Sequence, residues 1–348
     1  MKLSLHIGMG KTGTTALQSF LGESAVYLKQ HRCFYLGRIL GRIPDGPRPR
    51  NQSQAAQAAT LRSALEALES HAATPEFRAD FDLVVWSNEI LATNPDPRDQ
   101  IKTIAEFAAS SNVFTNVEVV LVLRRQDDWL EAAYQQWGLM NKLKTGHQIP
   151  SPQDYAAQVA PILDYAHIYE LWSAALPVTV LTYDDLMAKG GSVECFCDLW
   201  GVPRPDDIQK FRSVRSSAGP AISTLYSYFN RAFPARMKSE VFDKFIKKYQ
   251  VKELSEADHI CVPPDVRAAV LDKAATGNTR LAQALGRDAL FAPAPDLPRR
   301  AYEQGQADAI SALLRICKAQ SAELDRLRER IIALENDKKN SRERAQKD

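Results

Sequence analysis

The segment GMGKTGTT, residues 8–15, brings together one lysine, three threonines and three glycines. That combination suits one kind of chemistry. Gly8, Gly10 and Gly13 let the backbone turn tightly and approach a ligand closely. Thr14 and Thr15 open a helical pattern, where the first N–H groups have no intrahelical acceptor and the dipole adds partial positive charge. Lys11 adds a full charge. Together they form a cradle for phosphate or sulfate oxygens; the bland alternative is an ordinary strand-to-helix turn. Two more candidates follow apolar runs. Arg124-Arg125 closes VEVVLVLRR, either as an anion site or as a solvated strand end. Ser87-Asn88-Glu89 follows LVVW, where Glu89 is either a general base or the cap of a helix's first turn.

Spacing separates two kinds of cradle. A nucleotide-hydrolysing loop needs G-x-x-x-x-G-K-[ST]. If Gly10-Lys11-Thr12 closes it, residue 5 should be glycine, and it is Leu5. A magnesium-binding Asp at a later strand end is also expected there, and neither Ser87-Asn88-Glu89 nor Arg124-Arg125 supplies it. The frame Lys11-Thr12-Gly13-Thr14-Thr15 fits without strain. It resembles the 5'-phosphosulfate loop of the sulfotransferase superfamily, enzymes that use 3'-phosphoadenosine 5'-phosphosulfate (PAPS). The resemblance implies that Lys11 contacts the bridging and sulfuryl oxygens and that Thr12, Gly13, Thr14 and Thr15 hold the 5'-phosphate.

The family's 3'-phosphate site is an Arg leaving a strand, a Ser eight residues later and then Tyr. Arg124 and Tyr134 match, but Ala132 stands where the Ser belongs, and counting from Arg125 gives Ala133. A hydrogen bond to a charged group contributes about 1.5–3 kcal/mol, so the resemblance implies weakened PAPS binding unless Arg125, Arg212 or Arg215 compensates. VVWSNEI, VLTYDDL and FRSVRSSAGPAISTLYSYFN resemble further stretches of bacterial carbohydrate-type members, and the likeness covers roughly residues 1–235. It implies transfer of a sulfuryl group from PAPS to an acceptor hydroxyl, on a carbohydrate or glycolipid, with Lys11 and Glu89 catalytic and no metal. His31 and His147 are alternative bases; His6, inside a strand pattern, reads as a core residue. Two other readings stand beside this one: a small-molecule kinase using ATP and magnesium, and a non-catalytic scaffold of the same fold.

These residues need a frame to hold them. Leu3–Ile7, Leu83–Trp86, Val119–Leu123 and Val178–Leu181 read as buried strands separated by amphipathic helices. That alternation predicts an α/β fold, a P-loop-like three-layer sandwich around a mainly parallel sheet. RILGRIPDGPRPR, 38–50, reads as a loop with arginines at 38, 42, 48 and 50, either solvated or a lid over an anion. A helical pattern resumes over about 219–262, and Phe291–Pro298 reads as an extended connector.

Further on, Ile310, Leu313, Cys317, Gln320, Leu324, Leu327, Ile331 and Leu334 alternate at spacings of three and four. That is a heptad seam and predicts a coiled coil that makes a homo-oligomer; a helix folded back on its own domain is the alternative. The domain expectation is therefore 1–305 for the sulfotransferase-like domain, with 236–305 as a helical extension. A coiled-coil helix over 306–336 and a disordered tail over 337–348 complete it.

Composition excludes some roles. Lys and Arg total 44 against 42 Asp and Glu, a net charge of +2, so no nucleic-acid partner is expected. No run of eighteen apolar residues or signal-peptide core occurs, which predicts no integral membrane segment and a cytoplasmic protein. Five scattered cysteines fit reduced thiols. Cys195-x-Cys197 lies in a helical pattern with no companion ligands, so no metal site is expected.

Overall fold

The computed structural model describes residues 1–43, 54–94, 96–139, 149–212, 224–226, 228, 244, 248, 260–294 and 299–345. Its centre is a five-stranded parallel sheet of β1 (Lys2–His6), β2 (Cys33–Tyr35), β3 (Leu83–Ser87), β4 (Asn116–Leu123) and β5 (Val178–Thr182). The order is β2-β3-β1-β4-β5, and every adjacent pair is parallel. All five residues of β3 are buried, as are the last five of β4. The apolar runs were readable because strands covered on both faces need no polar alternation. The edge strand β2 escaped the sequence reading because it has only three residues.

Helices cover both faces. The connection from β1 to β2 runs through α1 (Thr14–Glu23) and α2 (Ala25–Gln30). The later crossovers run the other way across the sheet. They use α3 (Gln54–Ala72) and α4 (Pro75–Asp80), then α5 (Ile90–Thr93) and α6 (Arg98–Ser110), then α7 (Gln126–Ala133), α8 (Pro152–Val159) and α9 (Tyr165–Ser173). Right-handed crossovers in opposite directions place their helices on opposite faces. Accordingly α6 packs with α3 and α9. On the other face, α1 packs with α2 and with two helices that follow β5 and α10 (Tyr183–Ala188): α11 (Ser192–Trp200) and α12 (Gln209–Arg212). Leu17, Phe20 and Leu21 of α1 enter the core beside Val193, Phe196, Cys195 and Cys197 of α11. The Cys-x-Cys pair is thus core packing.

This order has a consequence for function. The chain leaves β1 toward β2 but leaves the adjacent β4 toward β5. The carboxyl ends of β1 and β4 diverge, which is the switch point where open α/β sheets take ligands.

The chain falls into two compact units. One comprises Met1–Ala133, Gln153–Ser217 and Asp265–Asp296, and holds the sheet. The other comprises Tyr134–Pro152, Ala218–Pro264 and Leu297–Asp348. Two further helices are α13 (Pro264–Ala284) and α14 (Arg299–Ala345), the latter 47 residues without interruption. The helical pattern over 219–262 lies almost wholly outside the described residues. Among the described residues no helix is long and apolar enough to cross a membrane.

Candidate functional site

The glycine-rich segment continues β1 past its last residue. Ile7 N–H donates to Val120 O at 3.0 Å and Met9 N–H to Val122 O at 2.9 Å, so the backbone reaches the end of β4 before it turns. Gly8 is required by close approach, since a Cβ there would lie 2.6 Å from His6 Nε2 and 3.0 Å from Val122 Cβ. The turn then uses left-handed backbone at Lys11 (φ 69°) and Gly13 (φ 81°). Lys11 is one of three described non-glycine residues with positive φ, with Arg32 and Leu40. Such a conformation costs free energy and persists where the surroundings enforce it.

The enforcement is visible. Trp129 Nε1 donates to Gly10 O at 2.8 Å, Arg124 Nη1 to Lys11 O at 3.1 Å and Ser192 Oγ to Gly13 O at 2.9 Å. Thr12 Oγ1 donates to Met9 O. In a planar trans peptide the C=O and the next N–H point in opposite directions. Holding these carbonyls from α7, β4's end and α11 therefore turns the N–H groups of Lys11, Thr12 and Thr14 the other way. Gly13 occupies the cap position of α1 and no side chain caps that end. Lys11, Thr12, Gly13, Thr14 and Thr15 thus lie together where the turn after β1 enters α1.

Arg124 stands directly beyond β4, next to this turn. Its guanidinium lies over the Tyr183 ring at 4.8 Å, and Tyr165 Oη donates to its carbonyl at 2.8 Å. Its Nε is buried without a hydrogen-bond partner. A guanidinium with one donor satisfied by the loop and another unsatisfied suits an anion bound there.

Arg125 is committed elsewhere. It pairs with Asp127 at 2.7 Å and Asp128 at 2.8 Å, and its side chain is 12% exposed. Arg267 of α13 closes the network, with Nη2 at 2.6 Å from both Asp127 and Asp128 and Nη1 3.6 Å from Glu131. Burial pushes the Asp127 carboxyl up, but its bonds to Arg125 and Arg267 and their charge outweigh that and hold it below the usual range. Arg125 is therefore not positioned to replace the hydroxyl missing at half-buried Ala132. Arg215, Arg48, Arg50 and His147 lie outside the described residues, as does the Arg212 side chain. Arg42 is held over the Tyr35 ring at 5.2 Å and donates to Gly22 O.

Glu89 follows β3, on the other side of β1 from Arg124. It occupies the cap position of α5 without a capping bond from its side chain. Its Oε1 instead accepts from Gln18 Nε2 at 3.2 Å, and the same amide nitrogen donates to Ser87 Oγ at 3.2 Å. Ser87 Oγ lies 2.8 Å from His6 Nδ1. His6 is fully buried, which lowers its pKa to about 3 and keeps it neutral. Glu89 is therefore tied through α1 to the centre of the sheet.

Tyr134 is buried in the other unit, where its Oη donates to Pro150 O at 3.0 Å. A cavity of about 610 Å³ lies between α8–α9 and α13. Two of its lining residues hold the Arg124 segment from behind: Tyr165, and Asn278, which exchanges hydrogen bonds with Gln126 at 2.7 and 3.0 Å.

Sequence reasoning missed Gln18, Tyr165, Ser192 and Arg267. Gln18 alone carried a signal, as a polar residue between Leu17 and Leu21 four positions after Thr14. Compared with known protein families and curated proteins, the chain matches no family model and no curated sequence.

Proposed function

We propose that this protein is a PAPS-dependent sulfotransferase with a P-loop-like core, acting in the cytoplasm on a carbohydrate or glycolipid hydroxyl. The observation that carries the reading is the meeting of the Lys11-Thr12-Gly13-Thr14-Thr15 turn with Arg124 at the β1–β4 switch point. A 5'-phosphosulfate fits the turn, because its carbonyls are held away and the end of α1 carries no cap. A 3'-phosphate fits Arg124, whose buried Nε has no partner. Arg215 is proposed as a further contact to the 3'-phosphate.

PAPS supplies an activated sulfuryl group whose transfer leaves negative charge on the departing phosphate. Lys11 neutralises that charge, and the backbone N–H groups of the turn orient the anion. Glu89 accepts the proton of the acceptor hydroxyl, and Gln18 holds one of its oxygens so that the other is left for the acceptor. Removing such a base lowers rate by about 10²–10⁴. Self-association through α14 is proposed as well, separately from sulfuryl transfer.

The test is a thermal-shift titration with PAP, the desulfated form of PAPS, beside ATP with magnesium. At a hundredfold excess over its dissociation constant a ligand stabilises by about 2.7 kcal/mol. A rise with PAP that is lost in Lys11→Ala supports the proposal. A rise with ATP and magnesium only favours the kinase, and none with either favours the scaffold. With PAPS and acceptor glycans, Glu89→Gln should then bind PAP normally while sulfation falls.

A further inference from the structure

Over 317–336 α14 is open to solvent along its whole length, every residue being exposed. Leu324, Leu327, Ile331 and Leu334 are 65%, 51%, 55% and 62% exposed. Earlier in the helix Ala309, Ala312 and Ile316 are each 1% exposed, while Ile310, Leu313 and Leu314 on the neighbouring stripe lie open. Among the described side chains, the buried stripe ends at Ile316, and 317–336 are exposed. In proteins most helical stability comes from packing an amphipathic face, and an exposed apolar stripe along a helix calls for a partner.

We infer that α14 pairs with α14 of a second copy as a parallel, in-register, two-stranded coiled coil. This rests on the self-association proposed above and is independent of sulfuryl transfer. In heptad terms Ile310, Cys317, Leu324 and Ile331 occupy the a positions. Leu313, Gln320, Leu327 and Leu334 occupy the d positions. Ile at a with Leu at d, as at Ile331 and Leu334, favours two parallel strands.

The flanking charges choose the direction. In a parallel pair each g residue meets the e residue five places later on the other helix. That sets Glu323 against Arg328 of the second copy, and Arg330 against its Glu335, each twice by symmetry. In the antiparallel packing that keeps all four layers from Leu324 to Leu334, Arg328 would face Arg328 and Arg330 would face Arg330. Exposed pairs contribute little individually, but like charges in place of opposite ones decide orientation. Glu323 already has Lys248 at 3.0 Å, so the Arg330–Glu335 pair carries more of the choice. Parallel register also sets the Gln320 amides against each other, where each can supply the other's hydrogen bond, and brings the two Cys317 thiols together.

Cys317 reports the outcome, because the other four cysteines are buried. Full-length protein would be sedimented and then treated with a short bismaleimide. The expected result is a dimer that cross-links, and in which Cys317→Ser abolishes the cross-link without dissolving the dimer. In the antiparallel packing each Cys317 would sit opposite residue 341, about 36 Å of helix from the other thiol at 1.5 Å per residue. A dimer that does not cross-link overturns the orientation and leaves self-association standing. A trimer overturns the two-stranded form, and a monomer at every concentration overturns the coiled coil and self-association alike. Arg330→Glu should weaken the dimer several-fold, and adding Glu335→Arg should restore it. No readout involves PAPS, so failure here is separate from failure of the sulfotransferase reading.

Discussion

The glycine-rich turn and the end of α14 are opposite solutions to ordering a polypeptide. The turn is short and holds left-handed backbone at Lys11 and Gly13, yet three of its carbonyls are held by side chains 113 to 179 residues away in sequence. The helix is 47 residues long with regular backbone, yet every residue over 317–336 is exposed. The turn is kept in shape by distant parts of the same molecule, whereas the helix is proposed to pair with another molecule. Substitutions behind the turn should therefore cost folding free energy, and substitutions in the seam should cost association.

The largest effect should come from Arg267→Met. It leaves Asp127 buried with one cation fewer, and breaking such a pair from one side costs about 3–5 kcal/mol. Urea unfolding followed by tryptophan fluorescence would measure it, since Trp129 is fully buried in α7. A cost below about 1 kcal/mol would remove the network from the forces that hold β4's end. Gly8→Ala comes next, because the new methyl collides with His6 Nε2 and Val122 Cβ; overpacking of this kind costs about 1–3 kcal/mol.

The third prediction concerns pH. The folded pKa of His6 is lowered to about 3 from 6.5, so the unfolded chain binds the extra proton between those values. The stability that neutral His6 confers is complete above pH 6.5 and is lost as pH falls toward 3, at up to about 1.4 kcal/mol per pH unit. His6→Asn should flatten the slope between pH 5 and 6.5, and an unchanged slope would deny His6 this role. Asp127 adds the usual carboxylate arm, complete above 3.8 and lost below it.

The smallest effect on folding should be that of Leu327→Ser. In dilute monomer it should change unfolding by no more than about 0.5 kcal/mol, as at other exposed positions, while it weakens self-association. If it destabilised the monomer strongly, the contrast between turn and helix would collapse.

Part of this was legible along the chain. β1, β3, β4 and β5 announced themselves as short, largely apolar runs, and the seam of α14 as a heptad. The three-residue β2 was too short for its pattern to show, and α13 has buried residues only near its two ends. Of the candidate site, the turn, Arg124 and Glu89 were readable because strand ends and glycine spacing are local features. Gln18, Tyr165 and Arg267 were not, because each acts through a partner distant in sequence.

The sequence by itself determined the parallel α/β class, the glycine-rich turn after the first strand and the long helix with an apolar stripe. All three depend on composition and spacing within one segment. Only the tertiary structure decided that β1 lies between β3 and β4, that Arg124 therefore reaches Lys11 while Glu89 stands on the other side, and that Arg125 is consumed by Asp127 and Asp128. Strand order and long-range ion pairs depend on which segments lie side by side, and that comes from packing the whole sheet rather than from any local run of residues.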